Sequence, residues 1–201
     1  MTRLAHAARR AVPGALDAFI RSAHDPVWRL CEALVDRQSA DDLTQETFVK
    51  AVGAVRRFRG DASARTWILS IARHTCMDEL RARSRRQRRA AALETDAALH
   101  AALPDPGGEI GARDLLAHVE IDRRTAFALT QLLGLTYEEA AATCGCPIGT
   151  IRSRVARARD DLIEMLEGEI PLAEGLGGQG LGGPGLGGPG LGGPAESDPR
   201  R

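Results

Sequence analysis

Apolar residues recur every three or four positions through the first part of the chain, which is the spacing of a buried helix face. Asp25 followed by Pro26 predicts the start of one helix, and the capping-box pattern at Ser39–Asp42 predicts the start of the next. Phe58–Ser63 has the composition of a loop. The predicted helices span about 4–10, 15–23, 26–34, 41–57 and 64–86.

Residues 136–164 carry the clearest local pattern, which is two helices joined by a tight turn. Thr136 and Glu139 fit a capping box, in which side chains bond the free N–H groups at a helix start. Gly145 suits the left-handed conformation that ends a helix, and Pro147 suits the first turn of the next helix. This arrangement is typical of a helix-turn-helix, whose second helix enters the major groove of DNA.

The second of these helices carries arginines on both sides of an apolar stripe formed by Ile151, Val155 and Leu162. Residues near the N-terminus of such a helix reach base edges, and those farther along more naturally touch phosphates. An antiparallel helix pair with a solvated charged face is the alternative, because three acidic residues dilute the positive charge. The candidates are Thr150, Arg152, Ser153 and Arg154 for base contacts and Arg157 and Arg159 for phosphate contacts.

The formal net charge of zero hides an uneven distribution of charge. Residues 1–89 contain 18 Arg or Lys against 10 Asp or Glu. Residues 90–112 contain four acidic side chains and no basic one except His100. Six arginines lie within Arg81–Arg89, a run that is typical either of a nucleic-acid contact or of a solvated helix end.

These patterns predict an all-α protein with two small helical domains, at 1–89 and 113–168. The acidic segment 90–112 contains Leu103-Pro-Asp-Pro-Gly-Gly108, which predicts a flexible linker between them. Repeats of Gly-Leu-Gly-Gly-Pro predict a disordered tail at 169–201, because so much glycine cannot offset the entropy lost on ordering.

The composition favours a cytoplasmic protein without a bound cofactor. No run approaches the roughly 18 apolar residues that a membrane span needs, and the first ten residues have no long apolar run of a secretory signal. The four cysteines fit a reducing compartment, and Cys144-x-Cys146 matches no common zinc spacing. We therefore expect no metal, no cofactor, no small-molecule substrate and no catalytic residue.

Two motifs precede the helix-turn-helix: Asp41-Asp-Leu-Thr-Gln-Glu-Thr-Phe48 and Thr66-Trp-Ile-Leu-Ser-Ile-Ala-Arg-His74. In this order, the two motifs and the helix-turn-helix resemble the extracytoplasmic-function group of bacterial sigma-70 factors. The resemblance spans about residues 4–165, and around 130–159 the chain is similar to the actinobacterial sigma factor C type. It implies a non-enzymatic subunit that directs RNA polymerase to promoters. The implied partners are the β′ and β subunits of core RNA polymerase, promoter DNA and, as a further candidate, an anti-sigma factor.

The resemblance also implies roles for three sets of residues, and it likens the acidic linker to a segment that threads toward the RNA exit path. The set implied to dock on the polymerase β′ coiled coil is Asp41, Asp42, Leu43, Gln45, Glu46 and Phe48. The set implied to melt and read the −10 element is Arg59, Asp61, Ser63, Arg65, Thr66, Trp67, Arg73 and His74. The set implied to read the −35 element is Pro147, Thr150, Arg152, Ser153, Arg154 and Arg157.

The chain departs from the family pattern at two places, one within the second motif and one just after the first. His74 stands where many members have asparagine, and Ala51-Val-Gly53 replaces a more usual Ala-Trp pair. The second interpretation is a stand-alone helix-turn-helix repressor or activator with a sensing or dimerising N-terminal domain, which would bind a two-fold symmetric site. A metal- or thiol-dependent enzyme is the third and has the least support in the sequence.

Overall fold

A computed structural model describes residues 1–93 and 112–169 of the chain. Every regular element in these two ranges is helical, which confirms the predicted all-α class. The predicted linker and tail lie outside the described residues except at their ends. The helices are α1 (Thr2–Arg9), α2 (Ala15–Leu34), α3 (Arg37–Ala54), a 3-10 turn (Val55–Arg57), α4 (Ala64–Leu93), α5 (Ala112–His118), α6 (Ile121–Phe127), a π-helical turn (Ala128–Leu132), α7 (Tyr137–Cys144) and α8 (Ile148–Glu169).

The predicted break before Pro26 is wrong, because α2 runs through the proline as one continuous helix. Proline removes one helical hydrogen bond and usually bends or ends a helix. Here a single buried stripe continues on both sides of it, and Phe19, Val27 and Leu34 are all almost completely shielded from solvent. Packing of this stripe against the other helices outweighs the local preference of the proline.

The start of α3 also differs from the prediction, since the helix begins at Arg37 rather than near Asp41. Its N-cap is Asp36, whose Oδ1 accepts a hydrogen bond of 2.7 Å from the Ser39 N–H. The Arg83 guanidinium of α4 donates to the other carboxylate oxygen over 2.5 Å. Burial opposes the ionisation of Asp36, but the hydrogen bonds from Arg83 and Ser39 outweigh it and hold the pKa of this carboxyl below its usual value.

Asp36→Ala is expected to lower the free energy of unfolding by about 1–2 kcal/mol at pH 7, because the cap and the Arg83 partner are both lost. Since the folded pKa lies below the unfolded one, the carboxylate contributes fully above the unfolded value of about 3.9. That contribution disappears as the pH falls through the folded pKa. Urea unfolding of the wild type and of Asp36→Ala should therefore show a difference in the free energy of unfolding that becomes smaller in acid. A difference that stays constant down to pH 2 would contradict this.

The helices of the N-terminal part pack around a core of large apolar side chains. Phe19 and Leu30 of α2 meet Leu43 of α3 and Ile68 of α4, and all four side chains are buried. Val52 also has the spacing of the inward stripe of α3, but it is 42% exposed. α3 ends at Ala54 and passes directly into the 3-10 turn, whose Val55 is buried again.

The C-terminal part follows the predicted helix-turn-helix closely. Thr136 Oγ1 accepts from the Glu139 N–H, the Glu139 carboxylate accepts from the Thr136 N–H, and Gly145 has the left-handed φ of 66°. Ile151 and Val155 are buried against the preceding helices as expected. Leu132, on the π-helical turn, is 49% exposed.

The two parts of residues 1–169 share one buried core. Leu129 and Ile151 belong to the same cluster of buried side chains as Phe19 and Ile68. Arg124 of α6 strengthens the junction, since its Nη1 donates to the carbonyl oxygen of Leu34 over 3.1 Å. No helix in the described part of the chain is both long and apolar enough to cross a membrane.

Candidate polymerase and promoter interfaces

The first turns of α3 expose a group of polar and acidic side chains, which we call the acidic face. Its members are Asp41, Asp42, Gln45 and Glu46, all on the outside of the helix. The Trp28 indole donates to the Asp41 carboxylate over 2.8 Å, and Lys50 forms an ion pair of 2.8 Å with Glu46. The face is therefore mostly anionic and exposed to solvent, although Asp41 and Glu46 each have one partner within the chain.

Two residues predicted with this set lie elsewhere. Leu43 and Phe48 point into the core, where they are 4% and 9% exposed, so they pack α3 against the rest of the protein. Conversely, Val49 and Val52 are 73% and 42% exposed and extend the acidic face by two apolar positions. Local spacing could not predict this exposure, because Val52 also fits the spacing of the buried stripe.

The segment between the 3-10 turn and α4, residues 58–63, forms a loop beside a cavity of about 270 Å³. The outermost side chains of this loop, Arg59 and Asp61, are 84% and 76% exposed and pair with each other over 3.2 Å. Ser63 caps α4, since its hydroxyl accepts from the Thr66 N–H over 3.1 Å. The cavity is lined by Arg57, Phe58, Arg59, Gly60, Asp61, Ala62, Thr66, Trp67, Ser70 and Ala142.

Trp67 sits where the wall of the cavity meets the core. Its ring lies 5.2 Å from that of Phe58 and 6.1 Å from that of Phe19, measured between ring centroids. Thr66 is buried and bonds the Ser63 hydroxyl over 2.8 Å. An aromatic wall beside polar groups is a surface on which a nucleobase can stack.

The remaining members of the predicted −10 set occupy different environments on α4. Arg65 donates to the carbonyl oxygen of Leu133, so it is bound to the C-terminal part of the chain. Arg73 is only 17% exposed and its Nε is buried without a hydrogen-bond partner. His74 is exposed, with its Nδ1 2.6 Å from the carbonyl oxygen of Ser70.

Most of the predicted −35 set lies on the outer surface of α8. Pro147 precedes the helix, and Arg152, Ser153 and Arg157 are exposed on it. Thr150 is half-buried, and its carbonyl oxygen accepts from the Ser153 hydroxyl over 3.0 Å. Arg159 is turned away toward Gln131, to whose side-chain oxygen it donates over 2.9 Å. The exposed face of α8 thus presents a hydroxyl and two arginines, Arg152 and Arg157, that form no ion pair with another described residue.

Arg154 differs from its neighbours because it is held by an acidic residue of α6. Its Nη2 forms an ion pair with the Asp122 carboxylate, and it is 24% exposed. The other oxygen of Asp122 lies 3.9 Å from the Arg73 guanidinium of α4. A single carboxylate therefore contacts one arginine from each predicted DNA-reading set. The sequence could not show this, because Asp122 lies 49 positions from Arg73 and 32 from Arg154.

The arginine run at the end of α4 divides into two faces. Arg83 and Arg86 donate to the Glu79 carboxylate, each over 2.8 Å, on the side that faces α3. Arg81, Arg85 and Arg88 follow at i, i+4 and i+7 and are exposed. They continue the helix face that carries His74, which extends the positive surface beyond the predicted −10 residues.

Two half-buried cysteines lie next to the Asp122 ion pairs. Burial raises the pKa of Cys144 to about 11, so its thiol is protonated at neutral pH. Cys146 Sγ lies 3.9 Å from Arg154 Nη1. Among residues 1–93 and 112–169, no group of three or more His, Cys, Asp or Glu side chains is arranged to hold a metal ion.

Comparison with known proteins identifies the class to which these surfaces belong. The family described as "Sigma-70 region 2" matches residues 19–86, and "Sigma-70, region 4" matches residues 112–162. The first match covers α2 to α4 with the acidic face and the cavity, and the second covers the helix-turn-helix. The chain therefore belongs to the sigma-70 family of RNA polymerase sigma factors.

Individual relatives narrow this class. The chain is 50% identical over 167 residues to a "Probable RNA polymerase sigma-C factor" of Mycobacterium bovis, covering 81% of this chain and 89% of that protein. It is 37% identical over 146 residues to the "RNA polymerase sigma-H factor" of Pseudomonas aeruginosa, covering 66% and 75%. An "ECF RNA polymerase sigma factor SigC" of Mycobacterium tuberculosis is also 50% identical, with the same coverage. The chain is thus a sigma factor of the extracytoplasmic-function type, as the sequence motifs predicted.

Solved structures share the fold. The sigma factor RpoE of Bartonella quintana, crystallised with the anti-sigma factor NepR, has a TM-score of 0.62 and 28% identity, covering 78% of this chain and 99% of that chain. CnrH, in complex with the cytosolic domain of CnrY, has a TM-score of 0.64 and 24% identity, covering 84% and 98%.

Proposed function

We propose that this sigma factor divides its work among three surfaces: the acidic face docks on core RNA polymerase, the cavity beside the 58–63 loop takes a base of the −10 element, and α8 reads the −35 element. The observation that carries this division is that the three predicted sets lie on three different elements, each with exposed groups suited to its partner. We propose 1–89 and 113–168 as the two functional domains.

The acidic face suits a cationic segment of the β′ subunit. Carboxylates at Asp42 and Glu46 would steer and orient the partner, while Val49 and Val52 would add apolar area at the end of the contact. Leu43 and Phe48 would act indirectly, by fixing the position of α3 on the core.

The cavity suits a single nucleobase drawn out of the stack. Enzymes and binding proteins that take a base from a duplex hold it against aromatic side chains and contact its edge with polar groups. Trp67, which is partly exposed, supplies the aromatic surface with the buried Phe58 ring packed against it, and Arg59, Asp61 and Ser70 supply polar groups around it. His74 lies one helical turn beyond Ser70 and would contact the neighbouring nucleotide.

On α8, Arg152 and Ser153 lie in the first turns and suit contacts with base edges, while Arg157 suits a phosphate. The subunit would have no catalytic activity of its own and would act in the cytoplasm, where core polymerase and DNA are found. The β subunit and an anti-sigma factor are further proposed partners, the latter because the Bartonella relative was crystallised with one.

The ion pair of Arg154 gives a test of the proposed DNA-reading surface. Asp122→Asn is expected to raise the affinity of the full chain for a duplex carrying the −35 element by about fivefold, because DNA phosphates no longer compete with the carboxylate. Fluorescence anisotropy at low salt measures this affinity.

Asp160→Asn is the matched control, since it removes one exposed acid from α8 itself. General charge effects would raise the affinity of both variants equally, whereas the proposal requires the larger gain in the Asp122 variant. Unchanged or weaker binding after Asp122→Asn would remove Arg154 from the proposed DNA-reading set.

A further inference from the structure

Helix α1 lies before the region-2 match, which begins at residue 19, yet it contacts the 58–63 loop closely. Thr2, His6 and Arg9 follow one another at helical spacing along the side of α1 that faces the loop. The helix is fixed on the protein by Ala5 and Ala8, which are 0% and 8% exposed. The helix that contacts the loop is therefore itself packed against the rest of the protein.

The His6 ring lies directly under the tip of the loop. It packs against Phe58 with ring centroids 5.1 Å apart and an interplanar angle of 50°. A Cβ atom added at Gly60 would stand 2.8 Å from His6 Cε1 and 2.9 Å from Nε2, which is closer than van der Waals contact allows. Gly60 also has φ of +84°, a conformation that other residues rarely adopt. The loop backbone thus lies against the imidazole, and both the close contact and the positive φ favour glycine at this position.

Two hydrogen bonds fix the ends of the same loop to α1. Arg9 Nη1 donates to the carbonyl oxygen of Phe58 over 3.3 Å. The Thr2 hydroxyl accepts from the Ala64 N–H over 3.2 Å, at the first residue of α4. One short helix therefore holds the loop at its beginning, its tip and its end.

These contacts set the shape of the cavity, because one of its walls is the segment Arg57–Ala62. The outer side chains of this wall, Arg59 and Asp61, bond to each other and stand in solvent, so they do not anchor it. The opposite wall is the rigid helix α4, with Thr66, Trp67 and Ser70. The distance between the two walls then depends on what lies behind the loop, which is His6.

We propose that α1 is the support of the base-binding cavity and that His6 is a positioning residue for recognition of the −10 element. His6 acts through the backbone of Gly60 and the ring of Phe58. Without its ring the loop can sink toward α1, and a base in the cavity loses contact with one wall. This inference rests on the proposed function of the cavity as a base site.

The test uses holoenzyme reconstituted from the full chain and core RNA polymerase, bound to forked promoter DNA with a single-stranded −10 region. Each −10 base is replaced in turn by an abasic site. For the wild type, the abasic site at the position held in the cavity is expected to lower affinity by about tenfold. For His6→Ala, intact DNA is expected to bind about tenfold more weakly, and the same abasic site to cost less than about threefold.

Two further variants separate positioning from stability. His6→Phe keeps a planar ring against Phe58 and is expected to restore the penalty of the abasic site. Leu4→Ala removes a partly buried contact of the same helix that packs on the core, so it lowers stability while leaving the abasic penalty unchanged. A full abasic penalty in His6→Ala, or an equal loss of penalty in Leu4→Ala, would overturn the role of His6. A wild type with no abasic penalty at any −10 position would overturn the base site itself and the inference with it.

Discussion

Replacing both Asp42 and Glu46 with lysine is expected to weaken binding to core RNA polymerase by about 100-fold, because like charges brought together across an interface cost several kcal/mol. Both side chains are exposed on the outside of α3. The only ion pair of Glu46 found among the described residues is that with Lys50, whose side chain is 40% exposed, so its loss costs less than about 1 kcal/mol. The fold should therefore survive the change. Fluorescence titration of labelled chain with core enzyme measures the affinity.

Asp17 and Asp25 provide the matched control for this variant. They are exposed acids of α2, at 65% and 69%, each in an i,i+4 ion pair with an arginine. Reversing both changes the net charge by the same amount on a different surface. An equal loss of polymerase affinity in this control, or a loss of −35 DNA binding in the Asp42/Glu46 variant, would contradict the assignment of the acidic face.

Arg152→Gln together with Arg157→Gln is expected to weaken −35 binding by about 100-fold, while affinity for core polymerase stays unchanged. Each well-placed arginine contact with DNA contributes about 1–3 kcal/mol, and tenfold in affinity corresponds to about 1.4 kcal/mol. These two are chosen over Arg154, since removing Arg154 would also take away one of the two arginine partners of Asp122.

The single variants Arg152→Gln and Arg157→Gln should affect DNA binding in different ways. Arg152→Gln is expected to relax the preference at one base pair of the −35 element, because a base contact is lost. Arg157→Gln should weaken binding to all DNA sequences alike, because one phosphate contact is lost. It should also reduce the slope of log K against the logarithm of salt concentration by about one. The control is Arg21→Gln with Arg29→Gln, two exposed arginines of α2. Equal effects of this control and of the α8 variant would assign the loss to net charge alone.

Local patterns in the sequence predicted the elements that are themselves locally stabilised. The capping box of Thr136 and Glu139 and the left-handed Gly145 could be identified because cap and turn chemistry depends on residues three or four positions apart. The predicted start of α3 is wrong although its cap is also local: Asp36 accepts from the Ser39 N–H three positions on, and the Ser39–Asp42 pattern competes with it in the sequence. Asp25 followed by Pro26 fits the local pattern of a helix start, but the buried stripe that keeps α2 continuous packs against other helices, which the local pattern does not show.

Contacts between distant segments account for what the sequence could not predict about the candidate site. The pairing of Asp122 with Arg73 and Arg154, and of His6 with Gly60, joins residues with no common motif. The exposure of Val49 and Val52 likewise depends on where the other helices lie. Family motifs indicated which segments matter, and the structure adds which side chains of each segment are accessible.

Run-off transcription tests the central claim most directly. Purified core RNA polymerase is incubated with fragmented DNA from the source genome, with and without the full chain, and the new transcripts are sequenced. If the chain is a promoter-specificity subunit, discrete transcripts appear only in its presence, and they start downstream of a shared asymmetric site with −35 and −10 elements. No stimulation of transcription, combined with tight binding of the chain alone to a two-fold symmetric site, would contradict that function.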